Sequence, residues 1–165
     1  IHAVVEASRR LSARQHGALI IMQRTDSLAQ YAETGVQLHA QVTPELLLQI
    51  FYPDTPLHDG GVIIADGKVA AAACVMPLSA SGILTRNPER QMGLRHRAAL
   101  GSSEVSDAVS VVVSEQSGSI SIAHAGRMIR RIDPERLENI LVAFYQTDVS
   151  TPRKAWFQRF FRRNK

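Results

Sequence analysis

The chain has 165 residues, 45% of them apolar and 21% charged, which is the size and balance of one globular domain. No apolar run reaches the roughly 18 residues a membrane-spanning helix needs, and a single cysteine, Cys74, excludes an intrachain disulfide. The net charge of +4 is local: six of the 19 Lys and Arg lie between Arg153 and Lys165, leaving 13 against 15 acids in residues 1–152, too few cations to track nucleic acid.

In chain order, His2 to Gln15 reads as an amphipathic helix with Val5, Ala7 and Leu11 on one side. Gly17 to Met22 reads as a buried strand, and Asp26-Ser27 as the cap of a short helix through Tyr31. Pro44 starts a helix from Glu45 to Phe51, with Thr43 at its N-cap. Pro53-Asp54-Thr55-Pro56 is a rigid loop. Two strands follow, Val62 to Ala65 and Val69 to Met76, joined by the hairpin signal Asp66-Gly67. Cys74 sits in the second, so its thiol is expected to be buried, reduced and unreactive. Pro77 to Arg90 is loop, and Gln91 to Gly101 is helix. Ala108 to Ser114 and Ser119 to Ala123 read as hairpin strands, and Asp133-Pro134 caps a last helix to about Tyr145. Hairpins interrupt strict βαβ order, so the expected fold is α/β: one globular domain with a mixed, twisted β-sheet flanked by helices on both faces.

Two segments carry chemistry. Leu57-His58-Asp59-Gly60-Gly61 puts an imidazole and an acid on a glycine turn, where backbone N–H groups can approach phosphate oxygens. Arg95-His96-Arg97 puts two guanidinium groups before the helical run Ala98-Ala99-Leu100. Cations at a helix start oppose the macrodipole unless an anion binds there. An acid set against an Arg pair suits phosphoryl or nucleotidyl transfer. Asp-Gly is also an ordinary turn, and Arg-His-Arg also reads as a solvated helix face.

From about Leu11 to Leu141 the chain resembles the catalytic domain of diadenylate cyclases, which make cyclic di-AMP, and within them the membrane-anchored class. The resemblance lies in Gly17-Ala18-Leu19-Ile20, Pro56-Leu57-His58-Asp59-Gly60, Met76-Pro77-Leu78-Ser79, Arg95-His96-Arg97-Ala98-Ala99-Leu100-Gly101, Ser106-Asp107-Ala108 and Val112-Val113-Ser114-Glu115. It implies that each subunit binds one ATP and that two subunits meet face to face as a homodimer. Each 3′-hydroxyl then attacks the other ATP's α-phosphate, and two pyrophosphates leave. On that resemblance Asp59 helps hold a divalent metal, Mg²⁺ or Mn²⁺, and activates the hydroxyl. His58 either completes the metal shell or is a hydrogen-bonded loop residue. Gly60 lies against ribose or phosphates, beside Gly61. Met76 packs on adenine or is plain core. Arg95, His96 and Arg97 orient the triphosphate, Ser114 hydrogen-bonds it, and Leu94 and Glu115 complete the substrate-binding set.

Three positions depart from the family pattern: Gly61 replaces an alanine, Leu94 a threonine, and Gln116 the second of two acids. The last two keep a rival reading open, a catalytically weakened module that binds ATP or a cyclic dinucleotide for regulation. A second rival is an interaction protein acting through its tail. The expected organisation is a catalytic domain over 1–148 and a basic, aromatic tail over 149–165. In that tail Trp156, Phe157, Phe160 and Phe161 share one side of a helix and six cations cover the rest, a pattern for an anionic membrane surface; a disordered tail and a helix docked on the domain are the alternatives. The start at Ile1, directly before a helix, is expected of a fragment of a membrane-anchored protein at the cytoplasmic face.

Overall fold

The computed structural model describes residues 1–81 and 92–146. A seven-stranded sheet runs through its centre in the order β2-β4-β3-β1-β5-β6-β7. The strands are β1 (Ala18–Met22), β2 (Val36–Gln41), β3 (Gly61–Ala65), β4 (Lys68–Cys74), β5 (Val109–Val113), β6 (Ile120–His124) and β7 (Arg127–Ile132). Only β1 and β3 pair in parallel; every other neighbouring pair is antiparallel. The helices are α1 (His2–Arg14), α2 (Ala29–Ala32), α3 (Pro44–Ile50), α4 (Leu94–Val105) and α5 (Pro134–Tyr145).

The period-2 alternation of the central strand sorts the core into two layers. Ala18, Ile20 and Met22 face α1, α3 and α5, where Leu11, Leu47, Phe51, Leu137 and Ile140 are fully buried. Leu19 and Ile21 face α2 and α4, where they meet Ala98, Ala99, Cys74 and Met76. The α4 side is lined by small residues, so this helix lies close to the sheet. The mixed sheet with helices on both faces is the architecture expected of the sequence.

Local signals account for most boundaries. Thr43 Oγ1 accepts the Leu46 N–H at 3.1 Å, and the Asp133 carboxylate accepts the Arg136 N–H at 2.8 Å, each just before a proline at the helix start. Asp66 and Gly67 both take positive φ (51° and 74°), as a type I′ hairpin requires.

Five expectations need correction. The short helix is Ala29–Ala32 and is not capped by Asp26. The Asp26 carboxylate instead accepts the Asp107 N–H at 2.9 Å, while Asp107 accepts the N–H groups of Thr25 and Asp26, a reciprocal clasp between two loops. Strand β4 stops at Cys74 rather than Met76, and α4 begins at Leu94 after Gly93 and runs on to Val105. Strand β2 was not expected: an exposed edge strand with a bulge at His39 shows little apolar alternation. Strand β7 was not expected either, because Arg127, Arg130 and Arg131 mask its pattern. Residues 82–91 of the expected loop and helix start, and the tail over 149–165, lie outside the described residues.

Candidate functional site

The topology brings chain ends together at one end of the sheet. The N-terminal ends of β1, β3 and β6 meet the C-terminal ends of β4, β5 and β7 there, beside the start of α4. Between them lies a cavity of about 1070 Å³. Its wall includes His58, Asp59 and Gly60 from the loop before β3, Met76 after β4, Leu94, Arg95 and His96 from α4, and Ser114 and Glu115 after β5. Motifs some 35 residues apart in sequence thus share one cavity.

The loop before β3 is held by its own backbone. His58 Nδ1 lies 2.6 Å from the Thr55 carbonyl oxygen, so this nitrogen carries the proton and donates it. Nε2 lies 3.5 Å from Asp59 Oδ1. His58 is thus a hydrogen-bonded loop residue on the cavity wall, and histidines that ligate metal are commonly oriented by such a bond on the other ring nitrogen. The Asp59 side chain is 88% exposed. Gly60 has φ 85°, and a Cβ there would fall 2.6 Å from the Cys74 carbonyl oxygen, so no side chain fits. Among the described residues no cluster of three or more His, Cys, Asp and Glu could hold a metal alone. The pair His58 Nε2 and Asp59 Oδ1 suits a hard ion that takes its other ligands from phosphate and water.

Arg95 spans the cavity floor. Its Nη1 lies 3.1 Å from Glu115 Oε2, its Nη2 reaches the His58 carbonyl oxygen at 3.5 Å, and its buried Nε has no partner among the described residues. Glu115 therefore anchors Arg95 to the end of β5, while the buried Nε–H is left for an acceptor. Burial first, then the charges of Arg130 and Arg95, hold the His96 imidazole below its ordinary value, so His96 is neutral at pH 7. The N-cap of α4 is Gly93, which offers no side chain to the first N–H groups, and the first turn carries no acid. An anion is the natural partner for such an end.

Two expected residues are placed differently from the rest. Arg97 does not line the cavity: two residues on from Arg95 it points to another side of α4. Its Nε donates to the Ser79 carbonyl oxygen at 3.2 Å, and its own carbonyl accepts the Ser79 N–H at 2.9 Å. Gly61 is buried beneath the loop. The methyl of an alanine there would fall 2.5 Å from Ile21 Cδ1, so Ile21 occupies the space a Cβ would need. Met76, 6% exposed, belongs both to the core and to the cavity wall. Ser121, Arg130 and Arg131 also line the cavity and Gly17 lies under Arg95; all four were missed, since only the fold brings them beside the two motifs.

Comparison with known proteins identifies the family. Residues 5–128 match the family described as DAC, the DisA bacterial checkpoint controller nucleotide-binding domain. The chain is 40% identical over 160 residues to cyclic di-AMP synthase CdaA of Bacillus subtilis, covering 96% of this chain and 57% of that protein. It is 42% identical over 142 residues to a diadenylate cyclase of Listeria monocytogenes, covering 86% and 50%. It thus spans about half the length of the curated relatives it matches. Among solved structures, DacA from Staphylococcus aureus superposes with TM-score 0.80 at 41% identity, over 86% of this chain and 92% of that one. A hypothetical membrane spanning protein from Bacillus cereus superposes at 0.73 with 43% identity, over 79% and 62%. Family match, relatives and fold converge on one statement: the chain belongs to the DAC, or diadenylate cyclase, domain family.

Proposed function

We propose that this chain condenses two ATP into cyclic di-AMP and two pyrophosphates across a face-to-face homodimer. The observation that carries this reading is the outward aim of the acid. Asp59 is 88% exposed at a cavity whose lining also carries large exposed apolar side chains, Val75 69%, Leu94 68% and Leu78 48% exposed. An exposed acid at a cavity that also exposes large apolar side chains suits a surface completed by a second subunit. The relatives bearing the names diadenylate cyclase and cyclic di-AMP synthase support the same activity.

The roles follow from position. Met76 and Leu19 offer an apolar wall to adenine, and Gly60 leaves room for the sugar or phosphates. Arg95, the start of α4 and Ser114 draw the triphosphate in, the arginine through its orphaned Nε–H. Neutral His96 can donate or accept there without adding charge. Asp59 takes the proton from the 3′-hydroxyl of the opposite ATP. The new bond joins that oxygen to the α-phosphorus, the bond to the bridging oxygen breaks, and its electron pair leaves with pyrophosphate. Mg²⁺ or Mn²⁺ held by His58 Nε2 and Asp59 would neutralise phosphate charge during transfer. The chemistry asks for positioning and charge neutralisation, with no covalent nucleophile.

On this reading the domain works at the cytoplasmic face of a membrane, with the basic, aromatic run over 149–165 as the segment that meets anionic lipid. No helix among the described residues is long and apolar enough to cross a bilayer. Incubation with ATP and either metal, followed by chromatography, tests the reading. Cyclic di-AMP supports it. ATP binding without product supports a regulatory module, and neither product nor binding supports an interaction protein.

A further inference from the structure

The register between β6 and β7 is broken at one place. Ile122 pairs with Ile129 and Ile120 with Ile132, so Arg130 and Arg131 together stand opposite the single residue Ser121. Arg131 takes φ 53°, the left-handed region, which a non-glycine residue adopts at some cost. This is a β-bulge, and a bulge changes where side chains are aimed. In a regular strand two consecutive arginines would face opposite sides of the sheet. Here both line the cavity, and so does Ser121.

Ser121 supplies a second, independent observation. It is 1% exposed, and its hydroxyl has no hydrogen-bond partner among the described residues. A buried hydroxyl on a cavity wall with no protein acceptor is a donor in want of an acceptor. The acids that line the cavity, Asp59 and Glu115, come from other elements, and Glu115 is held by Arg95. The β6–β7 wall therefore offers donors and positive charge. Arg130 is near enough to His96 for its charge to act on the imidazole, which puts Arg130 toward the α4 end of the site.

We propose that Ser121, Arg130 and Arg131 form a polyphosphate subsite, one that takes the β- and γ-phosphates of the nucleotide and the pyrophosphate they become. The assignment rests on the nucleotidyl-transfer reading above and extends it by naming where the leaving group is held. When the α-phosphorus releases its bridging oxygen, the electron pair and added charge go to the pyrophosphate. Two guanidinium groups beside a hydroxyl donor match that charge, and forked Arg–phosphate contacts are the strong kind. Arg95 would then serve the α-phosphate and the bulge the terminal pair.

The test compares ATP, AMP and inorganic pyrophosphate as ligands of the intact chain by calorimetry, with Arg130→Gln, Arg131→Gln, the double variant and Ser121→Ala. Lys68→Gln, exposed at the opposite end of the sheet, is the charge control. The expected result is a loss of about tenfold in ATP and pyrophosphate affinity for each arginine variant, with AMP affinity unchanged and the control silent. Ser121→Ala should lose severalfold in pyrophosphate alone. Equal losses for ATP and AMP, or no loss for either, would overturn the subsite and leave the arginines as guards of the sheet edge. The two claims fail separately. If the unaltered chain makes no cyclic di-AMP while the variants still lose ATP relative to AMP, the subsite stands and the activity does not. If it makes cyclic di-AMP and the variants bind ATP normally, the subsite alone is wrong.

Discussion

Arg95 lies across the backbone of Gly17. A Cβ on Gly17 would come within 2.6 Å of Arg95 Nη1 and 2.9 Å of Arg95 Cζ, and within 3.1 Å of the Glu115 Cβ. The glycine is a seat for the guanidinium, at the point where α1's exit loop enters β1. Gly17→Ala should therefore displace Arg95 rather than unfold the domain, since the backbone there needs no positive φ. A misplaced cation costs kcat/KM about 10- to 100-fold. Arg95→Ala should cost a similar amount, about 1.5–3 kcal/mol of phosphate contact. Thermal unfolding within a few degrees of the unaltered chain, alongside that kinetic loss, is the expected pair of observations; unchanged kinetics in Gly17→Ala would mean the guanidinium has room to spare.

Asp59→Asn should abolish product formation while ATP still binds, more weakly. In the proposed reaction the carboxylate is the proton acceptor, whereas the cations and apolar wall proposed to hold ATP come from other elements. Because Asp59 is 88% exposed, the change should leave the melting temperature nearly unaltered. Full turnover in this variant would remove Asp59 from the chemistry.

Acid should weaken the fold through two histidines. Burial, Arg130 and Arg95 lower the His96 value, and burial outweighs the bond to the Ala108 carbonyl to lower that of His124. A folded value below the unfolded 6.5 means that the unfolded chain binds more protons in the window between the two. Stability is thus fully present above about pH 7 and is lost as pH falls through 6.5 toward the folded values. Denaturant melts at stepped pH should show this slope, and His96→Gln should reduce it. An unchanged slope in His96→Gln and His124→Gln alike would place the titration elsewhere.

Cys74 should resist alkylation in the folded protein. Burial pushes its thiol from 9.0 up to about 11, which lowers the thiolate fraction at pH 8 by roughly 100-fold. Iodoacetamide labelling followed by mass spectrometry should find it unmodified until denaturant is added. Rapid native labelling would mean that the cavity wall opens at β4.

Much of the site was legible before its geometry was known, because the residues that carry charge and turn chemistry occur as short contiguous motifs. His58-Asp59-Gly60 and Arg95-His96 need only be brought together, and the alternation of apolar strands and capped helices dictates that they can be. What stayed hidden depends on register and contact. The two edge strands were invisible because an edge needs little apolar alternation and tolerates bulges. Gly17 reads as a plain strand-entry glycine until Arg95 is placed above it. Arg97 reads as a twin of Arg95, yet the helical rotation sends it to Ser79. Gly61 reads as a lost methyl until Ile21 is seen to occupy its space. Asp26 reads as a helix cap because its true partner, Asp107, is distant in the chain.

Specific activity measured across a dilution series, with products resolved by chromatography, bears most directly on the face-to-face condensation. In the proposed reaction two half-sites assemble, so cyclic di-AMP per unit protein should rise with protein concentration and level off where the dimer is complete. Two pyrophosphates should appear for each cyclic product. Product formation at constant specific activity through a range where the protein sediments as a monomer would contradict it.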